Sequence, residues 1–153
     1  MQWLRGFGLV VWLLPVTVAA HDPRDDLVQY ETTYRFSVLE QRLVRAIADH
    51  NMGLVSRASA SRGASARGVT IPGNAVLGIF RNDYAVRLLA ASTAAGIEAP
   101  LRIYLTENVD GSATLRYRSP SAVFAPSANT ELEGLARELD SVFTRIVADA
   151  VGR

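Results

Sequence analysis

The chain of 153 residues contains no cysteine and no lysine, and only two histidines. Without cysteine there is no thiol nucleophile, no thiolate zinc site, no iron–sulfur cluster on cysteine ligands and no covalently attached haem. A lipoprotein anchor, which needs a cysteine directly after cleavage, is excluded as well. So are disulfides, which leaves packing to hold the fold. Without lysine, Gly63, Gly68 and Gly73 cannot form a phosphate-binding loop, and their five-residue spacing is not a dinucleotide fingerprint either. The sequence also has no nucleophile elbow around a serine and no HExxH zinc-peptidase motif, so hydrolase chemistry has no visible seat.

A large excess of charge of one sign is missing too. All 16 basic residues are arginine, set against 15 Asp and Glu. Removing residues 1–20 takes away Arg5 and no acid, so the remainder is formally neutral apart from its histidines and termini. Nucleic-acid affinity rests on a dense cationic surface, so neutrality argues against that class of partner. The preference for arginine reads as nucleotide composition rather than as function. Hydrophobic residues make up 49% of the chain, which suits a folded domain rather than a disordered one. The length fits one domain.

The first twenty residues read as an address. Arg5 supplies a positive start, Phe7 to Val18 an apolar run interrupted by Pro15, and Val18-Ala19-Ala20 small residues for processing. This predicts a cleaved signal peptide over residues 1–20, with the cut between Ala20 and His21. The apolar run is shorter than the ~20 residues a spanning helix needs. The expectation is therefore export to a periplasm, with no membrane span after cleavage. Residues 21–31 are polar and acidic and read as a flexible leader, which puts the folded domain at residues 32–151.

Within that domain, Thr32 to Phe36 reads as a strand. A capping box, Ser37 with Glu40, then opens a helix running from Val38 to Asp49 or His50, with Leu39, Leu43, Val44 and Ile47 at helical spacing. Leu54 to Ala60 reads as a second strand and Ser61 to Gly73 as a Gly/Ser/Arg-rich loop. Ala75 to Phe80 is a buried strand. Asn82 or Asp83 caps the next helix, which Gly96 ends. Leu101–Thr106 and Ala113–Arg118 alternate at period two around Asn108-Val109-Asp110-Gly111, which predicts an antiparallel hairpin with one wet face. Asn129 or Thr130 caps a long helix with the stripe Leu132, Leu135, Leu139, Val142, Phe143, Ile146 and Val147, and Gly152 lies just past its end. The resulting order, β-α-β-β-α-β-β-α, predicts a single α+β domain with a mainly antiparallel sheet and helices packed on one face.

The hairpin alternation puts Arg102, Tyr104, Arg116 and Arg118 on one face. Guanidinium groups gathered there can hold a carboxylate, a phosphate or a haem propionate. The competing reading is a solvated face balanced by Glu98 and Glu107. His50 and Met52, two residues apart, offer ligand types suited to haem or copper. The competing reading there is a histidine at a helix C-terminus and a methionine packing the next turn. Arg81, Asn82, Asp83 and Arg87 cluster at a helix start, where capping accounts for the polar pair.

From Ala46 to Phe124 the sequence resembles the domain-of-unknown-function 302 family of small bacterial α+β domains. The likeness rests on Gly53-Leu54-Val55, Ile71-Pro72-Gly73-Asn74, the run from Ile79 to Arg87, and the run from Ala95 to Arg102. Asp110-Gly111, Tyr117 and Pro120-Ser121 complete it. The resemblance implies the same order of strands and helices, and self-association into homodimers. Many members carry an Asp-His pair just after the second strand. This chain has Ser59-Ala60-Ser61 there, so no role of that pair transfers. These readings together predict an exported, non-catalytic small-ligand-binding or accessory protein. The alternatives are a haem or copper protein using His50 and Met52, and a small enzyme holding an anionic substrate on its arginines.

Overall fold

A computed structural model describes residues 26–153. Among them five strands form one antiparallel sheet in the order β1-β5-β4-β3-β2, and helices cover one of its faces. The strands are β1 (Leu27–Arg35), β2 (Gly53–Ala58), β3 (Asn74–Phe80), β4 (Leu101–Glu107) and β5 (Ser112–Arg118). The helices are α1 (Phe36–Asp49), α2 (Ala60–Ser65), α3 (Asn82–Ala91), α4 (Pro120–Phe124) and α5 (Thr130–Val151). The α+β class and the order of the main elements agree with the sequence reading. The signal segment and its cleavage point at Ala20 and His21 lie outside the described residues.

The core forms where the period-two and 3.6-residue patterns meet. Leu77, Ile79, Ile103, Leu105 and Leu115 project from the sheet onto Leu39, Leu43 and Ile47 of α1 and onto the predicted stripe of α5. Phe143 is fully buried, with its ring centroid 5.7 Å from that of Tyr117. Burying a side chain of this size contributes roughly 1.5–3 kcal/mol. Asn129 caps α5 by accepting the Leu132 amide at 3.1 Å, and Gly152 ends it in the left-handed conformation, φ 79°. At the end of α1 it is Asn51 that turns left-handed, φ 56°, and the Met52 amide returns to the Ile47 carbonyl at 3.0 Å.

Several expectations are corrected. Leu27 to Glu31, read as leader, form the first half of β1, so the first strand starts at Leu27, ahead of residue 32. Val28, Tyr30, Thr32 and Tyr34 point inward at period two, and the intervening charged and polar residues gave this strand the look of a tail. The capping box does not form. Arg35 is the N-cap of α1 without a side-chain bond, and Glu40 is buried against arginines instead. The loop from Ser61 contains α2, capped by Ser59, whose hydroxyl accepts the Arg62 amide at 3.2 Å.

Asn82 and Asp83 lie inside the first turn of α3, behind an N-cap at Arg81. That helix ends at Ala91, and Gly96 belongs to a separate 3₁₀ turn, Ala94–Glu98. At Glu40, the arginines of β2 and α2 outcompete a local cap of about 1 kcal/mol.

Candidate functional site

The hairpin β4–β5 sits at the centre of the sheet with β1 on its outer side. One face of these strands meets the helices, and among the described residues the other is open. Tyr104 stands directly opposite Arg116, Arg116 opposite Gln29, and Arg118 opposite Leu27. Arg102 faces Gly78, where an added Cβ would collide with the Ser56 hydroxyl and press on Pro100. The four residues expected to share a face, Arg102, Tyr104, Arg116 and Arg118, therefore do so, and all four line one groove of about 540 Å³. Leu27, Glu98 and Val123 add to its walls.

The guanidinium of Arg116 is the fixed point of this face. Its Nε donates to Gln29 Oε1 and its Nη1 to Thr106 Oγ1, each at 2.7 Å. Neither acceptor is charged, so both bonds orient the cation without neutralising it. Other arginines are treated differently. Arg57 and Arg62 meet Glu40, Arg81 meets Asp83, and Arg87 grips Glu138 through two bonds at 2.7 and 2.8 Å. Arg102 reaches Glu98 at 3.6 Å, an exposed i,i+4 pair. Tyr104 keeps 41% of its surface exposed. Tyr117, a core residue that also borders the groove, has its hydroxyl pushed above the ordinary phenol range by burial, helped by Tyr30 and Asp140 and opposed by a bond with Thr144. It is a neutral phenol at physiological pH.

On the other side of Arg116 lies a second depression of about 660 Å³, at the hairpin end, lined by Glu31, Asn108, Asp110, Ser112 and Thr114 among others. Bonds from the hydroxyl and amide of Ser112 hold the Asp110 carboxyl below its usual range. Thr114, although on the open face, is buried because Asn108 folds over it and accepts its hydroxyl at 2.9 Å. The open face is thus basic towards Arg118 and acidic towards Asp110, with Arg116 as the common wall.

His50 and Met52 do not converge. The His50 Nε2 lies 2.7 Å from the Asp149 carboxylate of α5, whereas Met52 is buried against Ile79, Leu88 and Phe124. The left-handed turn at Asn51 sends the two side chains apart. Among the described residues no group of three or more His, Asp or Glu is arranged to hold a metal ion. The charged cluster opening α3 is satisfied internally. Arg81 forks onto Asp83 at 2.6 and 2.9 Å and lies 4.1 Å from the centre of the Tyr84 ring.

Two features escaped the sequence reading. Gln29, assigned there to the leader, orients Arg116 together with Thr106, and the alternation through Val28, Tyr30 and Thr32 is the signal that marks it as a strand residue. Glu40 is the other. It is 4% exposed, and its oxygens take Arg57 from β2 and Arg62 from α2. Nothing in local spacing marks that triad. Among the described residues no helix is long and apolar enough to cross a membrane.

Comparison with known proteins agrees with this architecture. The chain is similar to the crystal structure of a DUF302 protein from Bacillus stearothermophilus, with a TM-score of 0.70 at 13% identity, over 83% of this chain and 96% of that one. At that identity the likeness speaks for the fold alone. No curated protein matches the chain. The family model described as "Domain of unknown function DUF302" matches residues 28–150, nearly the whole described domain, and the chain therefore belongs to the DUF302 family.

Proposed function

We propose that this is an exported, periplasmic, non-catalytic protein that binds a small organic anion on the open face of its sheet and acts as a homodimer. The observation that carries the binding role is Arg116, a guanidinium fixed by two neutral oxygens in the middle of an uncovered face. A cation oriented in advance loses little freedom when an anion arrives, and charge-assisted bonds to it are about twice as strong as neutral ones. Arg102 and Arg118 line the same groove, and the ring of Tyr104 stands opposite Arg116.

The groove favours binding over reaction. Its polar groups are guanidiniums, phenols and Glu98, which Arg102 already engages, so no general base stands beside a nucleophile. Export rests on the signal-like residues 1–20. Self-association rests on the family resemblance and on β1 and β2, which are the sheet edges among the described residues, since an edge strand can pair with another chain.

The test is thermal melting of the mature domain with a panel of sodium salts of small anions at fixed ionic strength. The wild type is expected to gain stability with at least one organic anion, and Arg116→Gln to lose that response. A response equal in both proteins would refute the site. Sedimentation equilibrium should return twice the monomer mass, and a monomer at tens of micromolar would remove the dimer.

A further inference from the structure

The chemistry of the groove walls narrows the ligand beyond "anion". We infer that the groove takes a monocarboxylate with an apolar body, aromatic or branched aliphatic, in preference to inorganic phosphate, sulfate or a polyanion. This inference rests on the binding role proposed above for the same face.

Three observations point there. First, the cations occupy only part of the wall. Leu27 and Val123 lie beside Arg118, and the ring of Tyr104 stands opposite Arg116, so apolar surface sits next to the guanidiniums. Leu27 is 42% exposed and Tyr104 41%, more than a packed strand residue shows, and their free surface borders the groove. Burial of such surface is worth about 25 cal/mol per Å², an energy that a hydrated inorganic ion cannot collect.

Second, the groove carries its own carboxylate. Glu98 sits 3.6 Å from Arg102 and partly cancels it, so a multiply charged ligand would meet repulsion at that end. Beyond Arg116 on the other side stand Glu31 and Asp110, which close off the acidic end to any second negative group. The room for negative charge is thus confined to the surroundings of Arg116.

Third, the donors of Arg116 are partly spent. Two of its five N–H donors, one each on Nε and Nη1, are engaged by Gln29 and Thr106, which leaves three at the Nη1–Nη2 edge, a fit for the two oxygens of one carboxylate. The ligand carboxylate would meet that edge while its body lies along Tyr104 towards Leu27 and Val123.

The experiment uses the mature domain and four probes at equal ionic strength: sodium acetate, sodium 3-phenylpropanoate, sodium sulfate and 3-phenylpropanol. Titration calorimetry is expected to give 3-phenylpropanoate an affinity at least about tenfold above acetate, the equivalent of about 1.4 kcal/mol. The alcohol and sulfate should be weaker still. Leu27→Gln, at an exposed position, should narrow the gap between phenylpropanoate and acetate, and Arg116→Gln should abolish binding of both carboxylates. Should Arg116→Gln melt before it can be titrated, Leu27→Gln decides by itself, and an unchanged gap overturns the inference. Sulfate binding as tightly as phenylpropanoate, in an Arg116-dependent way, would refute the apolar body yet leave the anion site standing. No Arg116-dependent heat with any of the three salts would remove both.

Discussion

Arg57, near the end of edge strand β2, meets Glu40 of α1 with its Nη2 at 2.6 Å and its Nε at 2.9 Å from the same carboxylate oxygen. Arg57 lies opposite Leu77, on the helix-covered side of the sheet, so it reaches inward. The other oxygen of Glu40 takes Arg62 from α2 at 2.8 Å. One buried carboxylate thereby ties the first helix, the edge strand and the segment that follows it.

Glu40→Gln should accordingly destabilise the domain by about 1–3 kcal/mol, less than a fully buried pair because both guanidiniums keep contact with water. Arg62→Gln, at the more exposed partner, should cost less than Arg57→Gln. Urea unfolding of the three variants measures this. Equal, negligible losses would show that the triad does not hold these elements together.

Asn129 joins two helices. Its Oδ1 caps α5, and its Nδ2 donates to the carbonyl of Ala91 at the end of α3, at 2.9 Å. Asn129→Ala is expected to lower stability by about 1 kcal/mol from the lost cap, with a further loss at α3. Asn129→Ser should recover most of the cap and none of the α3 contact. Hydrogen exchange of the α3 amides separates the two. Protection of α3 unchanged in both variants would contradict the link.

Two exposed carboxylates carry a pH signature. The bonds from Arg81 hold the Asp83 carboxyl below its ordinary range, and those from Arg87 do the same for Glu138. A lowered folded-state value means that the unfolded chain binds the proton more tightly. The contribution is therefore complete above the ordinary carboxylate range, near pH 4, and fades as pH falls through the lower folded values. The double variant Asp83→Asn, Glu138→Gln should melt below the wild type at pH 7, with the gap closing towards pH 2. A gap constant across that range would mean that these bonds add nothing to the pH dependence.

Export makes a prediction at the other end of the chain. Intact-mass analysis of protein recovered from the periplasm should give a chain beginning at His21. Recovery only in the membrane fraction, with residues 1–20 retained, would replace the cleaved signal with an anchor.

Much of this molecule is legible from near neighbours in the chain. Period-two alternation in β4 and β5 places Arg102, Tyr104, Arg116 and Arg118 on one face whatever the rest of the fold does, because successive strand side chains point to opposite sides. The stripe of α5, its Asn129 cap and its Gly152 end are equally local. Tertiary structure alone decided what stands beside those arginines. Gln29 is 87 residues from Arg116, and they meet because β1 pairs with β5 across the edge of the sheet. Glu40 looked like half of a capping box and found two guanidiniums, 17 and 22 residues further on. Local spacing governs which way a side chain points, whereas the strand order, set by long-range pairing and core burial, governs what it meets.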